Sequence, residues 1–456
     1  MSSIEDEITP ELIERYDLHV PRYTSYPTVP NWSKEFKPTG FIDMIDEASH
    51  KKEPLSLYIH IPFCIRRCLF CACNVLITRR EDKVKKYLLY LKKEIDSISS
   101  NLKERNDVIQ IHLGGGTPTH LSPSQIADLF HHLWNRFRIE DGGELSIEVH
   151  PSVTSREHLD VLYDFGFNRL SMGVQDFDPK VQERLNRHQT FEETNELITY
   201  ARKLGFESIN VDLIYGLPYQ SPEGFRNTLE KIEEIRPDRL AMYSYAHFPN
   251  IFRHHKHIPL VEIPQGRDKL QLFLNARRFL LDIGYRQIGF DHFALETDGL
   301  WKSFKRKTLR RNFMGYTTKR GTDLIGFGYS AISELESGYA QNTKDMLMYE
   351  TSIDKVGVAT AKGHYLSPED RFRKRIIMDF LCLGEINLEN LKKNKEGNKI
   401  LSSRMEVLEH FESIGFLQKK ANGWKATPLG TVFSRVIASI FDAYYDAGKH
   451  SFSKSI

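Results

Sequence analysis

Four of the chain's five cysteines lie within ten residues, in one short segment. The first three, Cys64, Cys68 and Cys71, follow the spacing C-x3-C-x2-C, and Cys73 comes two residues later. One loop with this spacing can hold three corners of a [4Fe-4S] cube and leave the fourth iron without a protein ligand. Because such an iron can bind a small molecule directly, the segment predicts a site of redox chemistry.

Two other uses of these thiols must be weighed. Structural zinc usually takes four ligands arranged as two separated pairs, and the one cysteine outside the segment is Cys382. A disulfide pair or a simple redox thiol is the second alternative, but four crowded thiols suit a cluster better in a reducing compartment. The sequence therefore favours an iron–sulfur cluster.

Overall composition limits the classes of partner. The chain has 456 residues, room for one large domain with appendages or for two to three domains. Its 63 basic and 61 acidic residues leave a net charge of +2, which gives no long-range attraction for nucleic acid or an anionic membrane. The first residues are acidic rather than signal-peptide-like, and no apolar run approaches about twenty residues. We expect a cytoplasmic protein that binds neither nucleic acid nor membranes.

From residue 55 onward, short apolar runs alternate with longer amphipathic segments, which is typical of βα units in a parallel sheet. Six strands are predicted, at 55–61, 108–113, 144–149, 169–174, 208–214 and 239–246. Polar or glycine-rich residues follow the strands: the cysteine loop, the run from Gly114 to Thr117, Glu148, Gln175, Asp212, and Ala246 with His247. Ligands of α/β barrels bind at the carboxyl ends of strands, so we expect these residues to share one mouth. For any single residue, helix capping is the alternative.

The residue types at this expected mouth can bind the hydroxyl, ammonium and carboxylate groups of a small polar ligand. The glycines at 114–116 allow a ligand to approach the backbone closely. Glu148 and Asp212 offer carboxylates for ribose hydroxyls or an ammonium group, and Arg187 offers a guanidinium for a carboxylate.

The amino-terminal segment 20–28 contains two prolines and several β-forming residues, which favour an extended course. We expect an arm that is either a plain ordered strap or a lid over the active site. Two further segments are predicted to be solvated: the histidine-rich loop with His254, His255 and His257, for which metal binding is the alternative, and the basic run 302–311.

After residue 366 the pattern changes to charged amphipathic helices, predicted at 371–382, 400–414 and 429–446, with a hairpin at 415–424. This is a winged-helix-like order. Because no strongly basic recognition helix is present, a structural or lid domain is favoured over DNA binding.

The C-x3-C-x2-C loop resembles the signature of the radical S-adenosylmethionine enzymes. Longer motifs are similar to those of one family within that superfamily, the oxygen-independent coproporphyrinogen III oxidases, and they cover nearly the whole chain. These motifs are PRYTSYPT at 21–28, the loop at 58–74, GGGTPT at 114–119, NRLSMGVQDF at 168–177, DLIYGLP at 212–218, DHFA at 291–294, GYTT at 315–318 and YAQN at 339–342. The arm and the Cys-x-Cys-Asn ending of the loop favour the oxidase over the related haem chaperones.

The resemblance implies an α/β fold, with a partial (β/α)6 TIM-like barrel and an extended parallel sheet. It divides the chain into an amino-terminal arm (1–50), a catalytic barrel with its sheet extension (51–355) and a mostly helical, winged-helix-like carboxyl-terminal domain (356–456).

The resemblance also implies a [4Fe-4S] cluster and two bound S-adenosylmethionine molecules. Cys64, Cys68 and Cys71 would ligate the cluster, whereas Cys73 would not. The first S-adenosylmethionine would contact Tyr58, Phe70, Gly115, Glu148 and Ile332, of which Tyr58 and Glu148 are the catalytic candidates. The second would contact Gly116, Thr117, Gln175, Arg187, Asp212 and Ala246. Arg22 is the candidate for binding substrate carboxylates.

The reaction implied is the anaerobic conversion of two propionate side chains of coproporphyrinogen III into vinyl groups, giving protoporphyrinogen IX for haem biosynthesis. The partners implied are a reducing donor such as flavodoxin or ferredoxin and an unidentified electron acceptor, with the enzyme a monomer. His150 and Met314 depart from the family pattern, in which Asp and Gln are expected. The alternatives are a radical enzyme or chaperone that handles haem itself, and a regulatory protein that holds a cluster or zinc.

Overall fold

The computed structural model describes residues 8–319, 322–392, 395–446 and 452–456. One twelve-stranded sheet organises the molecule. Its six central strands are β1 (Leu55–Ile61), β2 (Asp107–Gly115), β3 (Arg138–Val149), β4 (Arg169–Gln175), β5 (Ser208–Tyr215) and β6 (Arg239–Ser244). They are parallel and lie side by side in chain order.

A helix follows each central strand, as the alternating pattern predicts. The six helices are α1 (Glu81–Leu102), α2 (Pro123–Trp134), α3 (Arg156–Asp164), α4 (Phe191–Leu204), α5 (Pro222–Ile235) and α6 (Gly266–Asp282). This confirms the partial (β/α)6 barrel. The predicted strand ends agree with the structure within two residues, except that β3 begins six residues earlier, at Arg138.

The strands show why the interior of the barrel is polar. Side chains alternate between the two faces of a strand, so every second residue points away from the covering helices. In β4, Leu170, Met172 and Val174 are buried in the apolar core, whereas Ser171 and Gln175 are only partly buried. The apolar positions of the strands therefore anchor the helices, and the polar positions in between supply the interior.

Both edges of the sheet are extended, as expected, but mainly by antiparallel strands, whose direction the sequence pattern does not indicate. Beside β6 lie β7 (Arg286–Ile288) and β8 (His292–Ala294). Beside β1 lies β9 (Leu324–Phe327), which is parallel to it, followed by the antiparallel β10 (Ile332–Leu335), β11 (Gly338–Asn342) and β12 (Thr360–Tyr365). The domain boundary predicted after residue 355 thus precedes the last strand of the sheet.

The arm contains the helices Pro10–Tyr16 and Pro38–Ser49, joined by a mainly extended segment. Arg435, in the carboxyl-terminal region, donates hydrogen bonds to the carbonyls of Val20 and Pro21. Further along, Trp32 stacks on Tyr339 of β11, with 4.9 Å between ring centroids. The arm is therefore fixed at one end to the carboxyl-terminal region and at the other to the sheet extension.

The carboxyl-terminal region is mostly helical, as predicted. Its helices are Pro368–Leu383, Leu388–Lys392, Lys395–Ser402, Met405–Ser413, Pro428–Val432 and Ser434–Ser439, and its small sheet contains Glu385–Asn387, Leu417–Lys420 and Gly423–Ala426. The helix predicted at 400–414 is split in two. The helix predicted at 429–446 is present only as Pro428–Val432 and Ser434–Ser439. Beyond it, the Tyr26 hydroxyl accepts a hydrogen bond from the Ala443 amide, and Asp442 accepts one from Tyr444, which hold the chain out of the helix.

Shorter elements occupy the connections. They are the helices Pro179–Arg184, Gly299–Lys305 and Met346–Val356, the 3-10 turns Val29–Asn31, Pro118–His120, Arg253–His257 and Leu260–Glu262, and the strand pairs Phe63–Cys64 with Leu76–Ile77 and Arg310–Asn312 with Gly315–Thr317. Among the described residues, none of the helices combines the length and apolar character required to span a membrane.

Candidate active site

A cavity of about 380 Å³ opens at the carboxyl ends of the barrel strands. The cysteine loop forms one wall, and residues from the ends of β2 to β6 form the remainder. Most of the predicted site residues line it: Cys64, Cys68, Phe70, Cys71, Gly115, Gly116, Thr117, Glu148, Gln175, Arg187 and Asp212. The expectation that residues from several strand ends meet at one mouth is therefore confirmed.

Backbone hydrogen bonds fix the cysteine loop to the barrel. The amides of Gly116 and Thr117 donate to the carbonyls of Ile61 and Phe63, both at 2.9 Å. On its other side, the Leu69 amide donates to the Leu185 carbonyl, also at 2.9 Å. The loop is thus clamped between the glycine run after β2 and the helix that precedes Arg187.

All five cysteines are free thiols, which excludes the disulfide alternative in this structure. Cys64 lies 3.5 Å from the Thr117 hydroxyl, and the Arg187 guanidinium lies 3.8 Å from the Cys68 sulfur. Within the described ranges, no group of three or more His, Cys, Asp or Glu side chains surrounds a single metal ion. A cubane does not require such a group, because each cysteine binds a different iron atom. Three thiols on one wall of a cavity fit that donor set.

The glycine run is required by close packing as well as by any ligand. Gly115 has φ +119°, and a Cβ atom there would lie 2.7 Å from the His60 ring. A Cβ atom on Gly116 would lie 2.7 Å from the Phe63 carbonyl oxygen. A side chain at Gly115 would therefore collide with β1, and one at Gly116 would push the cysteine loop away from the barrel.

Glu148, at the end of β3, is held in place by two donors. Its carboxylate accepts a hydrogen bond from the Gly115 amide at 3.1 Å and lies 3.4 Å from Nε2 of His112. Burial opposes ionisation, but these donors outweigh it and hold the pKa of Glu148 below its usual value. Because 44% of the side chain remains open to the cavity, the carboxylate is available to a ligand.

Gln175 and Arg187 carry buried polar atoms without partners among the described residues. These atoms are Oε1 of Gln175 and Nε of Arg187. Gln175 also has φ +69°, a conformation that residues other than glycine rarely adopt. Buried polar atoms normally have partners, so an acceptor and a donor left unpaired beside a cavity indicate that a ligand supplies them.

Asp212 lies on β5, deeper in the barrel. It accepts a hydrogen bond from the Asn210 amide at 2.7 Å. Burial nevertheless raises the pKa of its carboxyl to about 6. This group therefore changes its charge just below neutral pH, and a hydroxyl or ammonium group of a ligand would stabilise its ionised form.

Four predicted residues lie outside the lining of this cavity. Tyr58, on β1, forms a hydrogen bond of 3.0 Å between its hydroxyl and Nδ1 of His60, and its ring stacks on His112. Ile332, on β10, is buried against Trp32. The other two, Arg22 and Ala246, line a neighbouring cavity.

The neighbouring cavity measures about 500 Å³ and lies between the arm and the cysteine loop. Phe70, Cys71 and Cys73 line both cavities, so the two spaces meet at the loop. Arg22 enters this second cavity from the arm, with its guanidinium donating to the Ser244 carbonyl at 2.7 Å. The arm therefore covers one side of the mouth, as a lid would.

The two departures from the family pattern both face the interior. His150 lines the first cavity, where burial lowers its pKa to about 3 and so keeps it neutral. Met314 lines a smaller polar pocket of about 130 Å³ below Glu148 and Asp212. A thioether can donate no hydrogen bond there, whereas the expected glutamine would donate two.

The two expectations about solvated segments hold only in part. Arg253, Lys256 and His257 of the histidine-rich loop and Lys302, Lys305 and Arg306 of the basic run are exposed, but other residues of both segments are buried. In the histidine-rich loop, His255 is fully buried and stacks against His247 at 5.7 Å, and Nε2 of His254 lies 2.7 Å from the Cys71 carbonyl. In the basic run 302–311, Arg311 is buried and packs over the Tyr316 ring at 4.6 Å. Both segments pack against aromatic rings. A count of charges in the sequence does not reveal such contacts.

The sequence assigned no role in the site to His60 or His112, and it placed His254 in a solvated loop with metal binding as the alternative. A signal existed for His112, because Gln110, His112 and Gly114 occupy alternate positions of a strand whose other positions are apolar. His254 had no such signal, since its contact with the cysteine loop depends on the tertiary fold.

Comparisons with known proteins agree with this site. The family model for the radical SAM superfamily matches residues 58–232. The oxygen-independent coproporphyrinogen III oxidase of Pseudomonas aeruginosa is 39% identical over 452 residues, 98% of each chain. That of Escherichia coli is 39% identical over 435 residues, which is 95% of this chain and 94% of the relative.

A solved structure extends the agreement to three dimensions. The coproporphyrinogen III oxidase (HemN) from Escherichia coli, described as a radical SAM enzyme, matches with a TM-score of 0.88 and 38% identity over 93% of this chain and 98% of its own. Sequence and structure agree over nearly the whole length, arm and carboxyl-terminal region included. The chain belongs to the oxygen-independent coproporphyrinogen III oxidases, a family of radical SAM enzymes.

Proposed function

We propose that this protein converts coproporphyrinogen III to protoporphyrinogen IX without oxygen, as an enzyme of haem biosynthesis. The observation that carries the proposal is the convergence of Cys64, Cys68 and Cys71 with Glu148 and Arg187 on one cavity beside a second, larger one. The first space suits a cluster with its nucleoside cofactor, and the second leaves room for a substrate.

The cluster is assigned to Cys64, Cys68 and Cys71, and Cys73 is left as a free thiol. When bound there, the cluster and S-adenosylmethionine would supply the radical chemistry that removes a hydrogen atom from the β-carbon of a substrate propionate. The first S-adenosylmethionine is assigned to Tyr58, Phe70, Gly115, Glu148 and Ile332. The second is assigned to Gly116, Thr117, Gln175, Arg187, Asp212 and Ala246.

The side chains define what each residue contributes to binding. Glu148, held ionised by the Gly115 amide and His112, binds a hydroxyl or ammonium group of the cofactor. The unpaired N–H group of Arg187 binds a hydrogen-bond acceptor of the ligand. The unpaired carbonyl oxygen of Gln175 binds a hydrogen-bond donor of the ligand. Together these residues fix the orientation of the ligand before any bond changes.

The arm provides the substrate side of the site. Arg22 places a guanidinium in the second cavity, where it pairs with a propionate carboxylate. The same cavity is lined by apolar groups such as Val20 and Ile214, which exclude water from a reactive carbon radical. For each propionate, removal of one hydrogen atom, release of carbon dioxide and transfer of one electron to an acceptor leave a vinyl group.

We further propose that the enzyme acts as a cytoplasmic monomer. It receives electrons from a donor of the flavodoxin or ferredoxin type and passes the electrons left by decarboxylation to a separate acceptor. The nearly balanced charge of +2 supports the absence of nucleic-acid and membrane partners.

An anaerobic turnover assay tests the proposal. Reconstituted protein is incubated with coproporphyrinogen III, S-adenosylmethionine and dithionite, and porphyrin products and 5′-deoxyadenosine are measured by chromatography. The expected result is divinyl product with one 5′-deoxyadenosine for each vinyl group. Cleavage of S-adenosylmethionine without vinyl product, together with haem binding, would instead support a radical haem chaperone or haem-modifying enzyme.

A further inference from the structure

A surface depression of about 570 Å³ lies beside the cysteine loop. It is lined by Arg67, Ile251, Phe252, Arg253, His254 and His257. Of these, Arg67 alone also lines the ligand cavity. A protein bound in the depression would therefore face the cysteine loop without filling the space for cofactor and substrate.

The depression has a cationic lining. Its residues include two arginines and two histidines, and among those described there is no carboxylate. Lys256, on the same 3-10 turn as Arg253, is also exposed. Glu262, on the next turn, is paired with Arg184 at 2.6 Å and with the Tyr219 hydroxyl at 2.8 Å. Because the net charge of the whole chain is only +2, this is a local concentration of positive charge.

Exposed apolar side chains accompany the cations. Ile251, at the edge of the depression, is 64% exposed, and Leu260 and Val261 on the following turn are 63% and 92% exposed. Apolar groups surrounded by charge are typical of surfaces that bind protein partners transiently.

His254 connects this surface to the cysteine loop. Its ring lines the depression, and its Nε2 donates to the carbonyl oxygen of Cys71 at 2.7 Å. Next to it, His255 is fully buried, accepts a hydrogen bond from the Phe248 amide and stacks on His247, so the turn is rigidly supported. One hydrogen bond therefore separates the surface from the backbone of a cysteine assigned to the cluster.

From these observations we infer that the depression is the docking surface for an acidic one-electron carrier protein. The inference rests on the proposed function, since it requires a cluster at the cysteine loop. The reduced carrier loses one electron to the cluster, whose charge falls from 2+ to 1+, and the oxidised carrier then dissociates. Charge complementarity selects an acidic partner, and Ile251 supplies its apolar contact.

The test compares a carrier protein with a chemical reductant. The variant R253E/K256E reverses two cations at the depression, and neither residue belongs to the cluster, cofactor or substrate site. The matched control is K302E/R306E, which makes the same charge change on the helix Gly299–Lys305 and on Arg306, the residue directly after it. That helix lies at the amino ends of the strands, because Asp298 pairs with Arg239, the first residue of β6.

The readout is the rate of 5′-deoxyadenosine formation, with reduced flavodoxin as one electron source and dithionite as the other. We expect R253E/K256E to raise the KM for flavodoxin about tenfold at low salt, with a smaller difference at high salt because ions screen surface charges. The rate with dithionite and the iron content should match those of the wild type. The control should behave as the wild type with both reductants.

An unchanged KM for flavodoxin in R253E/K256E would overturn the docking surface, and so would an equal loss with both reductants. These outcomes are separate from a failure of the proposed function. If the wild type forms 5′-deoxyadenosine but no vinyl product, the assigned substrate is wrong and the docking result is unaffected. If the wild type binds no iron, both proposals fail.

Discussion

The carboxylate of Glu148 accepts a hydrogen bond from the backbone amide of Gly115, which lies 3.1 Å away on the neighbouring strand. This bond joins the end of β3 to the glycine run that carries the cysteine loop. It therefore couples a candidate cofactor ligand to the position of the candidate cluster.

Replacing Glu148 with glutamine tests the cofactor assignment. Glu148→Gln keeps the size of the side chain but removes its charge, and a hydrogen bond to a charged group contributes about 1.5–3 kcal/mol. We expect the Kd for S-adenosylmethionine to rise by about tenfold or more, with iron content unchanged. The control is Glu140→Gln, near the other end of the same strand. Equal affinities in the two variants would contradict the assignment.

The glycine run can be tested by adding a single methyl group. Gly115→Ala places a Cβ atom 2.7 Å from the His60 ring at φ +119°, so both packing and backbone are strained. Gly142→Ala is the control, since that glycine also has a positive φ of +73° but no neighbour within 4 Å. We expect a loss of about 1 kcal/mol in the control and about 2–4 kcal/mol in Gly115→Ala, measured by urea unfolding. Equal losses would show that the close approach is unimportant.

The ionisation of Asp212 is expected to make the stability of the protein depend on pH. Its folded pKa, about 6, lies above the usual value of 3.8, so the folded state binds the proton more tightly than the unfolded state. Stability should therefore fall as the pH rises from about 4 to 6 and then stay lower. Asp212→Asn removes this penalty. Without cofactors, we expect the variant to gain up to about 3 kcal/mol over the wild type at pH 8 and almost nothing near pH 4.

That gain is measured by denaturant unfolding of the two proteins over the same pH range. A difference that does not change with pH would show that Asp212 ionises normally. S-adenosylmethionine should reduce the difference, because a ligand that binds the ionised carboxylate stabilises the wild type alone.

Arg435 holds the amino-terminal arm in place, and this role can be tested by substitution. Its buried guanidinium bonds to the carbonyls of Val20, Pro21, Ser453 and Lys454. Arg435→Gln leaves several of these carbonyls without a donor, so we expect a loss of about 2–4 kcal/mol and faster hydrogen exchange at residues 20–28. Arg435→Lys, which keeps the charge, should lose less.

A loosened arm should also expose the radical to water. In Arg435→Lys we expect more 5′-deoxyadenosine for each vinyl group than in the wild type, because some radicals are quenched before they reach substrate. An unchanged ratio, together with unchanged exchange at residues 20–28, would show that the arm does not act as a lid.

The sequence predicted the central architecture because its signals are local. The period of two in β4 and the amphipathic helices specify the βα units, and the polar residues at strand ends indicate the mouth. Further strands were predicted at the edge of the sheet, but their antiparallel direction carries no local signal, because it depends on turns such as the one between β10 and β11. The unwinding after Ser439 was also missed, since the Tyr26 hydroxyl that binds Ala443 comes from the other end of the chain.

The same limit applies within the site. Spacing alone identified the cysteine triplet, and chemistry alone selected Glu148 and Arg187. The contact of His254 with the cysteine loop was not predicted, because its partner, the Cys71 carbonyl, is 183 residues away in the chain. Met314 was seen as a departure, but its place in a polar pocket beneath Asp212 could be found only from the fold.

The central claim is that Cys64, Cys68 and Cys71 bind three irons of a cubane and leave the fourth open to S-adenosylmethionine. The most direct measurement is the electron paramagnetic resonance spectrum of the reduced, anaerobically reconstituted protein, with and without S-adenosylmethionine, in the wild type, Cys71→Ala and Cys73→Ala. The account predicts a [4Fe-4S]⁺ signal that S-adenosylmethionine changes in the wild type and Cys73→Ala, and loss of that signal in Cys71→Ala. Zinc in place of iron, or a signal that survives in Cys71→Ala but is lost in Cys73→Ala, would contradict it.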